Sequence, residues 1–186
     1  MISQQLNDQI TRIGADDDAG MLLRQYWQPA ALCDDISFGL PLAVNLLGEH
    51  LALVESLKGY KLVKRIVTGN PNAAHMPAAE EITLDEDGRS YPAVIMKGIV
   101  FAYLGQGEPP KFPNFDCFRA PDTHVFAFKG LWRCNWLQAL EVGIDPAHAS
   151  FLHRFLEDED PSKGYGKQFR DTADDTDIPM TKILRD

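Results

Sequence analysis

The stretch from Leu42 to Gly105 constrains this chain most, because it repeats short apolar, β-rich runs separated by turn signals. In "LAVNLLGEHLALVE" two such runs flank Gly48-Glu49-His50, the pattern of a β-hairpin. "KLVKRIV" reads as a further strand, and "YPAVIM" and "GIVFAYLG" meet at Lys97-Gly98. Between them, "TGNPNAAHMPAAEE" is rich in Gly, Pro, Asn and Ala without periodicity and reads as a loop. The expectation is an antiparallel β-rich N-terminal lobe.

The flanks have a different period. "SQQLNDQITRIG" sets Ile2, Leu6, Ile10 and Ile13 at helical spacing, with Ser3 as the cap and Gly14 as the stop. "MLLRQYWQPAAL" is a dense apolar group interrupted by Pro29 and is expected to lie on the sheet as a lid. The proline-rich "GQGEPPKFPNFDCFRAPD" reads as a linker, dividing the chain into regions 1–118 and 119–186. Beyond it, "THVFAFKG" alternates as a strand does. "LWRCNWLQALEVG" follows at helical spacing, through Trp132, Trp136, Leu137 and Leu140, and Gly143 is expected to end that helix. Asp145 then caps a new helix, with Pro146 at its first position. From Glu157 the chain is polar, acidic and loop-like, and no internal repeat is present.

At 186 residues the chain has room for one good hydrophobic core or two small ones. Its net charge of -9 has the wrong sign for gripping phosphate backbones, which argues against nucleic acid as a partner. No apolar run is long enough to span a bilayer, and "MISQQLNDQI" lacks the basic start of a secretion signal, so a cytoplasmic location is expected. Cys33, Cys117 and Cys134 are odd in number and widely spread, which suits reduced thiols rather than a disulfide framework or a zinc knuckle.

The chemistry concentrates in "EVGIDPAHASFLH", which holds Glu141, Asp145, His148 and His153. On a helix Asp145 and His148 share a face, whereas His148 and His153 diverge by roughly 140°. The two imidazoles converge on one ion only through a bulge or at a frayed helix end. Two imidazoles and a carboxylate on one face of an ion, with other positions open, is the donor set used for Fe(II) oxygen chemistry, and zinc accepts the same ligands. The plain alternative has His148 capping a carbonyl and His153 on the surface.

The longer line "CNWLQALEVGIDPAHASFLH" resembles the catalytic signature of Rieske non-heme iron oxygenases, the aromatic ring-hydroxylating α-subunits of the phthalate dioxygenase-like branch. "LLRQYWQPAAL", "LLGEHLALVE", "GIVFAYLG" and "PPKFPNFD" are similar to further stretches of that family. The resemblance implies an α+β protein: a reduced Rieske-type β domain joined to the start of a helix-grip catalytic domain. It implies that His148 and His153 ligate Fe(II). It also implies that Asp145 bridges an iron-ligating histidine towards a Rieske cluster in a neighbouring subunit. Glu141 serves as a salt-bridge or capping residue as readily as a ligand neighbour, and Asn135 and Trp136 fit the family pattern as packing or supporting residues.

The implied activity is hydroxylation or O-demethylation of an aromatic or related apolar substrate with O2. A reductase or ferredoxin would supply electrons through a [2Fe-2S] cluster, and the family assembles as homo-oligomers, trimers among them. The sequence departs from the family in two respects. Cys-x-His and Cys-x-x-His, which a Rieske cluster needs, are absent, and the segment between "LALVES" and "YPAVIM" holds only His75. The third iron ligand, an aspartate, belongs to a part of the family fold beyond Asp186. Two explanations stand: an incomplete or internally deleted oxygenase, or a reduced paralogue. A non-catalytic remnant that pairs with intact α-subunits is therefore the alternative function, with a zinc hydrolase using Glu141 as base a remote third. Exposed sheet edges predict a poorly soluble or oligomeric chain.

Overall fold

The structure is a computed structural model and describes residues 2–68, 76–85 and 87–145. The chain divides into two compact units at the Leu131–Trp132 junction. In the first unit the strands are β1 (Trp27–Leu32), β2 (Leu42–Leu46), β3 (Glu49–Ser56), β4 (Gly59–Ile66), β5 (Thr83–Leu84), β6 (Ser90–Met96) and β7 (Ile99–Tyr103). They pair antiparallel throughout, in the order β1-β7-β6-β4-β3-β2, with the short β5 added beside β4. The end strands β1 and β2 approach each other, so the sheet nearly closes on itself. With helices at its margins, the architecture is α+β.

Two turns explain the hairpins. Leu47 and Gly48 have φ of 48° and 76°, and Lys97 and Gly98 have φ of 50° and 80°. Positive φ at both central residues is the type I′ geometry whose twist matches that of the flanking strands. The first hairpin therefore turns at Leu47-Gly48 and not at Gly48-Glu49-His50. Glu49 is already in β3, opposite Leu46. That one-residue difference decides where its carboxylate goes, because successive strand residues face opposite sides.

The core lies between the curved faces, with Leu51, Leu53, Leu62, Val100 and Leu104 fully buried and Val44, Tyr91 and Ala102 packed among them. Each leucine so enclosed contributes about 1.5–3 kcal/mol. "WQPAAL", expected as part of a lid, is strand β1 instead, at the end of the sheet opposite β7. Pro29 is tolerated because β1 is an end strand whose register shifts between Pro29 and Ala31, where no ladder N–H is needed. The proline-rich segment packs on this strand pair: Phe101 meets Phe112 at 5.1 Å and Phe118 at 5.7 Å, and Trp27 Nε1 donates to Pro110 O at 2.9 Å.

Helix α1 (Gln4–Thr11) is capped by Ser3, whose Oγ accepts from the Leu6 N–H at 3.2 Å, and it stops at Thr11, before Gly14. Helix α2 (Asp18–Leu23) packs so tightly on the Ile13-Gly14 backbone that a Cβ on Gly20 would stand 1.9 Å from the Gly14 carbonyl oxygen. The short α3 (Asp116–Arg119) leads to a 3-10 turn at Asp122–His124, held by Lys97 Nζ donating to Ala120 O at 2.6 Å and to the Asp122 carboxylate. "THVFAFKG" forms no strand. Its first two residues belong to the 3-10 turn and the rest pairs with no described strand, leaving Phe126 85% and Phe128 77% exposed.

In the second unit, α4 (Trp136–Ile144) is capped by Asn135, whose Oδ1 accepts from Gln138 N–H at 2.9 Å. The helix starts after Trp132 rather than at it, because a cap side chain fits at Asn135. It runs through Gly143, one residue beyond the expected stop. Among the described residues no helix is long and apolar enough to cross a membrane.

Candidate functional site

Helix α4 places part of the expected metal motif. Glu141 lies exposed in its last turn, and Asp145 follows at the C-cap, half-buried, with φ -85° and ψ 102°. Asp145 makes an interaction of its own. His148 and His153 lie outside the described residues. Trp136 Nε1 is buried without a hydrogen-bond partner among the described residues, and as a donor-only group it calls for an acceptor rather than a metal.

A second polar centre, which sequence reasoning missed, is built into the β lobe. Arg24 follows α2, is 6% exposed, and spreads its guanidinium over several acceptors. One nitrogen donates to Ile13 O at 3.0 Å, Gly14 O at 3.2 Å and Gly20 O at 3.1 Å. The other donates to Leu47 O at 2.7 Å and to Glu49 Oε1 at 3.1 Å. Tyr91, opposite Leu62 on β6, donates its hydroxyl to Glu49 Oε1 at 3.1 Å and Oε2 at 2.9 Å. Burial above all, then the hydrogen bond to Glu49 and its negative charge, pushes the Tyr91 phenol up to about 12.

The network forms the floor of an open cleft of about 1170 Å³, rimmed by Asp16, Lys64, Asp85 and Arg89. Its members satisfy each other, and Tyr91 is fixed as a donor at neutral pH. The arrangement pins the helical N-terminus to the sheet and offers no general base. The one signal in the sequence was an arginine inside the apolar run "MLLRQYW".

The donors present do not fit a [2Fe-2S] cluster of the Rieske type. Cys33 is half-buried in the 3-10 turn after β1, and Cys117 and Cys134 are exposed. Burial, and then the Asp34 charge, pushes the Cys33 thiol up, away from the thiolate that iron binds. Among the described residues no three His, Cys, Asp or Glu side chains gather as a metal site. His148, His153 and a nearby carboxylate are donors of the types a single mononuclear ion takes, and the two histidines lie outside the described residues.

The architecture defines a class first. An oxygenase bound to ferredoxin in the carbazole 1,9a-dioxygenase system matches the fold with a TM-score of 0.50, over 79% of this chain and 45% of that one, at 20% identity. No protein-family model matches. In sequence the chain is 28% identical to the oxygenase subunit of tert-butanol monooxygenase / tert-amyl alcohol desaturase from Aquincola tertiaricarbonis, across 79% of this chain and 38% of that protein. It is 26% identical to the 5,5'-dehydrodivanillate O-demethylase oxygenase subunit of a Sphingobium, across 82% and 44%. It is 27% identical to the phthalate 4,5-dioxygenase oxygenase subunit of Pseudomonas putida, across 82% and 42%. In sequence the chain is thus similar to the oxygenase subunits of Rieske-type oxygenases. It spans less than half the length of these relatives. The first match runs over 184 aligned positions yet takes up 79% of a chain of 186, so the relative carries residues inside the matched region that this chain lacks.

Proposed function

We propose that this chain is the β lobe and metal-binding helix region of an oxidoreductase that hydroxylates or O-demethylates an aromatic or related apolar substrate with O2. The observation that carries the reading is the half-buried Asp145 at the end of α4, directly ahead of His148 and His153, in a chain akin to oxygenase subunits. His148 and His153 would hold one mononuclear Fe(II), which supplies O2 activation when bound. Asp145 accepts the outer N–H of a ligating imidazole, fixing its tautomer and raising its basicity. Asn135 starts the helix that sets Asp145 in place.

The electron donor is a ferredoxin or reductase, a reading supported by the ferredoxin complexes among the matching folds. The working protein is a cytoplasmic homo-oligomer. Anaerobic Fe(II) titration of the wild type beside His148→Ala and His153→Ala tests the assignment. One tight equivalent in the wild type, weakened at least tenfold in each variant, is expected. Equal uptake by all three proteins would remove the site from these residues.

A further inference from the structure

We infer that this chain carries no Rieske cluster of its own: the nearly closed sheet packs with no position among the described residues at which two thiolates and two imidazoles meet, so any metal the chain binds is not a Rieske centre. A Rieske centre needs two cysteines on one iron and two histidines on the other. No cysteine occurs between Cys33 and Cys117, so the loops joining β2 to β7 can contribute none, whatever their conformation. The flanking cysteines are free thiols on separate elements. Cys33 is tied to the β6–β7 turn through its N–H donating to Gly98 O at 2.9 Å, Cys117 is on α3, and Cys134 is in the second unit.

The described histidines of the first unit, His50 and His124, are also engaged apart from any thiol. His50 Nδ1 meets Asn45 Oδ1 at 2.9 Å, where Arg65 also donates at 3.0 Å, and His124 Nδ1 meets Thr123 Oγ1 at 2.9 Å. The β2–β3 and β3–β4 connections are tight turns, and β4 pairs directly with β6, Leu62 opposite Tyr91, both buried in the core. Electrons for a mononuclear metal must then arrive from a redox centre outside these 186 residues. The inference stands whether or not His148 and His153 bind a metal.

The full chain and a Cys33→Ser, Cys117→Ser, Cys134→Ser variant are incubated anaerobically with ferrous iron and a sulfide source, desalted, and assayed for acid-labile sulfide and for a dithionite-reducible EPR signal. Background sulfide in the wild type, or a trace equal in the serine variant, supports the inference. Two sulfides per chain, reducible and lost in the serine variant, would overturn it. A parallel cobalt titration of the same samples reports the His148 and His153 site separately, so either reading can fail alone.

Discussion

Replacing Arg24 by Met keeps the length of the side chain and removes its charge, isolating the network under the cleft. The Gly14 and Gly20 carbonyls keep backbone donors in the variant, from Asp17 and from residue 24 itself. The loss falls on Ile13 O, Leu47 O and above all on Glu49, whose side chain is 13% exposed and would keep only Tyr91 as a hydrogen-bond partner among the described residues. Removing one member of a buried ion pair costs about 3–5 kcal/mol, against a whole-domain stability of about 5–15 kcal/mol. Urea unfolding followed by circular dichroism should show the midpoint falling by about 2 M at unchanged slope. The sharper sign is in the pair. Glu49→Gln alone should destabilise, whereas adding it to Arg24→Met should recover at least about 1 kcal/mol, because no charge is then stranded. An Arg24→Met protein within about 1 kcal/mol of wild type, or an equal Glu49→Gln penalty in both backgrounds, would refute this account of the network.

Tyr91 carries a pH signature. Its phenol sits at about 12 in the fold against an ordinary value of 10.0, so the folded state holds the proton longer. Stability from this group is complete below pH 10 and drains as pH rises towards 12. In Tyr91→Phe, unfolding between those pH values should lose that part of its slope, and an unchanged slope would contradict the shift. Asn135→Ala should cost α4 about 1 kcal/mol and lower helical ellipticity, with Asn135→Ser restoring most of it; equal helicity in all three proteins would deny the cap a role.

The parts of the fold legible in the sequence were those set by local rules. Alternation gave the hairpin strands, and Lys97-Gly98 marked its turn because few residues accept positive φ at both positions. Ser3 was readable as a cap from its place before an amphipathic run. Strand β1 was hidden because Pro29 argues against a central strand, and only its place at the sheet's end makes it admissible. "THVFAFKG" misled in the opposite direction, since alternation describes how side chains fall and a strand also needs a neighbour. The Arg24–Glu49–Tyr91 network joins residues far apart in the chain, and no periodicity encodes such a meeting. For the candidate metal site, donor identity was legible while convergence was not, because five-residue spacing separates imidazoles on a regular helix.

The central claim is that His148 and His153 hold one metal beside Asp145. Cobalt(II) titration, followed by the d–d absorption of the bound ion, tests it on the wild type, His148→Ala and His153→Ala. A single equivalent should bind the wild type, with affinity falling at least tenfold, about 1.4 kcal/mol, in each variant. Superimposable spectra and isotherms for the three proteins would contradict it.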